Sequence, residues 1–251
     1  MRPSHSYTIW FSQRTGSTLL CSALKDTGVA GKPAELFNVE TGTDLLAHFG
    51  AETPEEMQRK IWALGSTPNG VFGLKQGFWE PHMRYLVDVF RTFSPGENKS
   101  RAEVWEGAFP NGKHIFMTRR NKVRLAVSWW KAIQSEEWHR QRGGVPLPRN
   151  INDAYSFEAI NHLLSESVLR EAGMQAFFTD ADIVPLTVVY EDFVADYEGT
   201  VTRVLETLGL ELPAGYAFAP PKLERLADDL SERWVQRFRE EKQRGWRNLG
   251  W

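Results

Sequence analysis

Between two apolar stretches near the start of the chain lies Ser12-Gln13-Arg14-Thr15-Gly16-Ser17-Thr18, whose residue types suit the grip of an anion. Before it, Tyr7-Thr8-Ile9-Trp10-Phe11 is short and rich in β-branched and aromatic residues, as a buried strand is. After it, Leu19, Leu20, Ala23 and Leu24 recur at helical spacing until Thr27-Gly28 ends the run. Strand, polar loop and helix N-terminus in that order bring backbone N–H groups to one spot, where a phosphate can sit. Gly16 lets the backbone approach, Ser17 and Thr18 bring hydroxyls, and Arg14 brings a planar charge that can hold two oxygens. An ordinary βα turn with capping residues is the competing account of the same heptapeptide. The Gly-Lys-Ser/Thr ending of a Walker A loop is missing, as is G-x-G-x-x-G, so neither ATP or GTP hydrolysis nor a dinucleotide site has support.

Two further strand-like runs end on cations. Val71-Phe72-Gly73-Leu74-Lys75 closes on Lys75, and His114-Ile115-Phe116-Met117-Thr118 runs into Arg119-Arg120. Ser128 follows Arg120 by about two helical turns, so each can bring a donor to one dianionic group. Arg119 can exchange roles with Arg120, and a solvated helix start is the competing account.

These segments carry a resemblance. Q-R-T-G-S-T-L-L after a strand resembles the 5′-phosphosulfate loop of sulfotransferases that use 3′-phosphoadenosine 5′-phosphosulfate (PAPS), and T-G-V-A-G-K-P-A-E-L-F resembles the bacterial trehalose sulfotransferase family in particular. The run from Arg120 to Ser128 resembles that family's 3′-phosphate motif, and Val189-Tyr190-Glu191-Asp192-Phe193 its Tyr-Glu-Asp segment. The matches lie in order from Ser12 to about Leu210.

The resemblance implies PAPS as sulfuryl donor, PAP as product and no metal. It places Gln13, Arg14, Thr15, Gly16, Ser17 and Thr18 on the 5′ side, Arg120 and Ser128 on the 3′-phosphate, and Tyr190 near the adenine. Glu35 stands at the family's general-base position. Cytosolic sulfotransferases have a lysine where this chain has Arg14, and a base histidine where it has Lys75-Gln76-Gly77, so their mechanism does not carry over unchanged; Glu35 as base is what the resemblance implies, with a solvated loop carboxylate as the competing account. Arg14, aided by Lys75, is the candidate to neutralise the leaving 5′-phosphate and hold the sulfuryl oxygens. The acceptor implied is a hydroxyl of a sugar or glycolipid. Phe37 to Thr67, short beside its counterpart, is where acceptor and dimer contacts are expected, and a homodimer rests on resemblance alone. A P-loop-like kinase of small metabolites and a non-catalytic sulfonucleotide-binding module are the alternatives.

The elements that must position these residues alternate between strand and helix, with strands ending near Phe11, Lys75, Thr118 and Val189. That predicts an α/β fold: a P-loop-like, mainly parallel central sheet flanked by helices on both faces, a sulfotransferase-like three-layer sandwich in a single domain over 1–251. Helices are predicted over 54–64, 81–93, 153–178 and 229–244, with a loop from Ser94 to Gly112. The net charge of −2, with scattered basic residues, lacks the footprint nucleic acid requires. No apolar run nears the ~20 residues that span a bilayer, and Met1 to Tyr7 has no signal-like core, which reads as cytoplasmic. Cys21, alone, reads as a small buried residue. Glu136-x-x-His139 and the Glu158/His162 pair read as helical surface pairs, most of the ten tryptophans as core, and Arg244-Gly245 as a solvated helix end.

Overall fold

The computed structural model describes residues 1–93 and 99–246. Among these, four strands, β1 (His5–Phe11), β2 (Val71–Gly77), β3 (Gly112–Thr118) and β4 (Leu186–Val189), form one parallel sheet in the order β2-β1-β3-β4. β1 is central, with Ile9 opposite Lys75 on one side and Ile115 on the other. Pro185 falls just before β4, at a sheet edge, where its missing N–H costs no ladder bond.

Period-two alternation sends the side chains of each strand into two different cores. Trp10, Phe72, Leu74 and Phe116 pack against α3 (Pro54–Gly65), α4 (Glu80–Phe90), α5 (Arg101–Ala108) and the second half of α7 (Phe157–Asp180). Tyr7, Ile9, Phe11, Ile115, Met117 and Val188 face α1 (Ser17–Asp26) and α9 (Tyr197–Leu208). The expected helix-covered parallel sheet is therefore present. A third core joins α6 (Lys122–Ser135), the start of α7 and α10 (Asp229–Gln243) through Trp129, Ile160, Trp234 and Phe238.

Four elements depart from expectation. Of the loop predicted from Ser94 to Gly112, residues 94–98 lie outside the described residues and 101–108 are helical, started by a reciprocal Ser100–Glu103 capping box. Its only buried residues are Val104, Trp105 and Ala108, too few to print a helical stripe. The helix predicted from Asp153 begins at Phe157, because Ser156 caps it by accepting from Ala159 N. The short helices α2 (Leu45–His48) and α8 (Tyr190–Ala195) have no periodicity to betray them. Among the described residues no helix is long and apolar enough to cross a membrane.

Candidate active site

The strand order reverses direction between β1 and β3, and in open α/β sheets a crevice forms beyond the strand ends at such a point. Here the loop after β1 and the residues after β3 border a cleft of about 910 Å³. Gly16, at φ 83°, turns the chain into α1, and no side chain caps that helix, which leaves its first-turn N–H groups for an anion. A Cβ on Gly16 would come within 2.8 Å of the Tyr190 ring, so the tight approach of loop and α8 needs glycine as well as the conformation.

Gly16, Ser17, Thr18, Ser128 and Tyr190 all line the cleft. Arg14, itself at φ 65°, reaches across it: its Nε donates to Ser128 Oγ at 3.0 Å and its Nη1 to the Trp138 carbonyl at 2.5 Å. Burial, then the neighbouring Arg119, pull the Arg14 pKa down to about 10, with Tyr190 opposing.

Three side chains lie otherwise than the sequence reading placed them. Thr15 is fully buried and its hydroxyl donates to the Ser12 carbonyl at 2.8 Å, so its side chain shapes the loop from within. Gln13 is drawn away from the cleft by Arg170 of α7, whose Nη1 donates to Gln13 Oε1 at 2.9 Å. Arg120 does not line the cleft. Its exposed guanidinium makes a two-pronged pair with Asp192, while its backbone N–H donates to Glu191 at 3.0 Å. Arg119 is the residue in the cleft wall, 8% exposed, lying 4.6 Å over the Tyr190 ring, with no hydrogen-bond partner for its Nε among the described residues. Side chains alternate after β3, and the second arginine is claimed by the Tyr-Glu-Asp segment itself.

A second recess of about 190 Å³ opens beside the cradle, bordered by Gln13, Glu35, Asn38, Gln76, Trp79 and Arg170 among others. Lys75, 6% exposed, sits between the two spaces. Its Nζ donates to Glu35 Oε1 at 2.6 Å on the recess side and to Thr18 Oγ1 at 2.9 Å on the cradle side, and it lies 4.4 Å over the Phe11 ring. Glu35 and Lys75, 40 positions apart, are thus brought together.

Three residues went unnoticed or were set aside. Arg225, in the segment between α9 and α10, borders the cleft and depresses the Arg119 pKa after burial has done so, which places a second cation at the same spot. Lys131 lines the same wall. His139 is on no helix: α6 stops at Ser135, and the ring comes within 3.3 Å of Thr18 Oγ1 while Glu136 pairs with Arg149. Arg244 stands at the C-terminal cap of α10 and is not part of the cleft wall. Only contacts between distant segments identify Arg225 and His139, so no local spacing could have signalled them. Cys21 is buried as expected, its thiol pushed up to about 12 by burial.

An anion cradle and a second recess that share one bridging lysine form the layout of a group transferase with two substrates. The chain belongs to the Stf0 sulphotransferase family, whose model matches residues 6–241, and it is therefore a sulfotransferase. It is 32% identical to the trehalose 2-sulfotransferase of Mycolicibacterium smegmatis, with 95% of this chain and 96% of that protein covered. To the trehalose 2-sulfotransferase of Mycobacterium tuberculosis it is 28% identical, over 96% of each. A solved sulfotransferase from Alicyclobacillus acidocaldarius superposes with a TM-score of 0.47 at 17% identity, over 96% of this chain and 93% of that one.

Proposed function

We propose that this sulfotransferase takes its sulfuryl group from PAPS and places it on a hydroxyl of a carbohydrate, the larger cleft receiving the nucleotide and the smaller recess the acceptor. The observation that carries the reading is Lys75, bonded at once to Glu35 in the recess and to Thr18 in the cradle. Arg119 and Arg225, with Ser128, take the 3′-phosphate, because all three line the cleft and Arg119 is buried there with only Glu191, 3.8 Å away, as its carboxylate neighbour. Tyr190 forms the wall for the adenine. The loop N–H groups, Ser17, Thr18 and Arg14 hold the 5′ end. A sugar acceptor is favoured by the names of the relatives and by a recess that sets amides, carboxylates and a half-exposed Trp79 around a small space. A single domain over 1–251 and a homodimer belong to the same proposal.

In the step itself Glu35 takes the proton of the acceptor hydroxyl as its oxygen forms the new bond to sulfur. The bond from sulfur to the 5′-phosphate oxygen breaks, and its electron pair stays on that phosphate. Such a loose, in-line transfer needs position and charge rather than covalent help. Lys75 orients Glu35 and sets positive charge beside the sulfuryl oxygens, and Arg14 sets it beside the leaving phosphate.

Calorimetric titration with PAP, 5′-AMP, ATP and GTP tests the donor assignment. PAP is expected to bind in the micromolar range and AMP much more weakly. ATP binding as tight as PAP would transfer the lead to a small-metabolite kinase.

A further inference from the structure

His139 is held at the donor cleft by a segment with its own fixings. Glu136, at φ 59°, turns the chain back from the end of α6 across the cradle. The Trp138 carbonyl then accepts from Arg14, and Arg140 pairs with Glu137 at 2.6 Å and Glu224 at 3.5 Å. Glu224 N donates to the Arg140 carbonyl at 2.9 Å, and Arg142 N to the Lys222 carbonyl at 2.7 Å. The imidazole so placed borders the cleft with Nε2 3.3 Å from Thr18 Oγ1. That oxygen also accepts from Lys75 Nζ at 2.9 Å and keeps both a hydrogen and a second lone pair, so it meets Nε2 in either tautomer.

We propose that His139 is a proton-linked ligand of the donor: neutral in the free enzyme, it takes a proton from solvent when the phosphosulfate enters the cradle and donates through Nε2 to that anion. The proposal rests on PAPS as donor. The charged groups around the ring are Arg14 from the cradle, Lys75 from β2 and Glu35 from the segment after α1; on its own segment Glu137 and Arg140 neutralise each other. Withdrawal from bulk water by the cleft walls, then Arg14, then Lys75 hold the imidazole below its usual pKa, with Glu35 opposing. An entering anion reverses the balance. When the sulfur–oxygen bond breaks and its electron pair stays on the 5′-phosphate, the imidazolium lies beside the charge that has grown there. A lysine or arginine at this position would add a third permanent cation to Arg14 and Lys75 in the empty cradle. A histidine is charged only when the anion is present.

The test is calorimetric titration with PAP near pH 7.5 in buffers of differing ionisation heat, on wild type and His139→Gln. Wild type is expected to take up more protons than the variant, by up to about one per PAP bound. Its PAP affinity should fall more steeply than the variant's between pH 6 and pH 8. In wild type alone, histidine NMR should show one ring whose pKa rises on PAP binding. A role confined to shaping the loop moves none of these. Equal proton uptake in both proteins, with PAP bound, would overturn the proposal while the donor assignment stands. Failure of wild type to bind PAP would overturn both.

Discussion

Replacing Arg119 by methionine keeps an apolar stem over Tyr190 and removes a buried charge whose carboxylate neighbour, Glu191, stands at 3.8 Å. Arg119 is 8% exposed, its Nε has no hydrogen-bond partner among the described residues, its Nη1 lies 3.4 Å from the Arg14 carbonyl, and Glu191 is 3.8 Å away. Burial lowers its pKa, Tyr190 and Glu191 resist, and Arg225 and Arg124 add to the lowering. Such a group gains most when a phosphate arrives. A hydrogen bond to a charged group contributes about 1.5–3 kcal/mol, so Arg119→Met should weaken PAP about 10- to 150-fold. 5′-AMP lacks the 3′-phosphate and should change by less than about threefold. Arg120→Met should leave PAP within about threefold of wild type, because its side chain is 59% exposed and turned outward onto Asp192. Calorimetric titration of the three proteins with both nucleotides checks this. A larger loss for Arg120→Met than for Arg119→Met would refute the assignment, as would equal losses of PAP and AMP in Arg119→Met.

Glu35→Gln should lower sulfuryl transfer by at least about 100-fold while PAP affinity stays near wild type, since Glu35 borders the recess and not the cleft; transfer assays with radiolabelled PAPS and calorimetry separate the two effects. Gly16→Ala should lower both Tm and PAP affinity: the left-handed backbone costs alanine about 1–2 kcal/mol, and its Cβ would push into Tyr190. Gly31→Ala should be more damaging to stability with no direct effect on the site, because its Cβ would meet the Gly73 backbone at 2.6 Å, and denaturant unfolding measures it. Burial would raise the Glu191 carboxyl, but the N–H groups of Arg120 and Asn121, with Arg119, hold it below the usual range. Its stabilisation is therefore present above the unfolded value and lost as pH falls through the folded one, so Glu191→Gln should cost stability at pH 7 and little at pH 3.

The sheet and most helices were legible because each strand is short, apolar and followed by a periodic stripe, as Tyr7–Phe11 and Leu19–Leu24 illustrate. The cradle was legible for the same reason: its residues are contiguous, and strand, loop and helix N-terminus form one local unit. Glu35 came from family resemblance and Lys75 from its place at a strand end; their ion pair at 2.6 Å joins segments that no local pattern links. What stayed hidden depends on competition between distant groups. Asp192 draws Arg120 out of the cleft and leaves Arg119 there, and Arg170 draws Gln13 toward the recess. His139 was discounted as part of a helical pair because α6 was read past Ser135, where Glu136 in fact turns the chain. The α5 helix was missed because its few apolar residues form no stripe, although the Ser100–Glu103 capping box was present in the sequence.

The most direct test of the central claim is a crystal structure of the protein with PAP. The account predicts the 5′-phosphate against the N–H groups of residues 16–18, the 3′-phosphate between Arg119, Arg225 and Ser128, and the adenine beside Tyr190. PAP bound away from this cleft, or with its 3′-phosphate on Arg120 and Arg119 untouched, would contradict it.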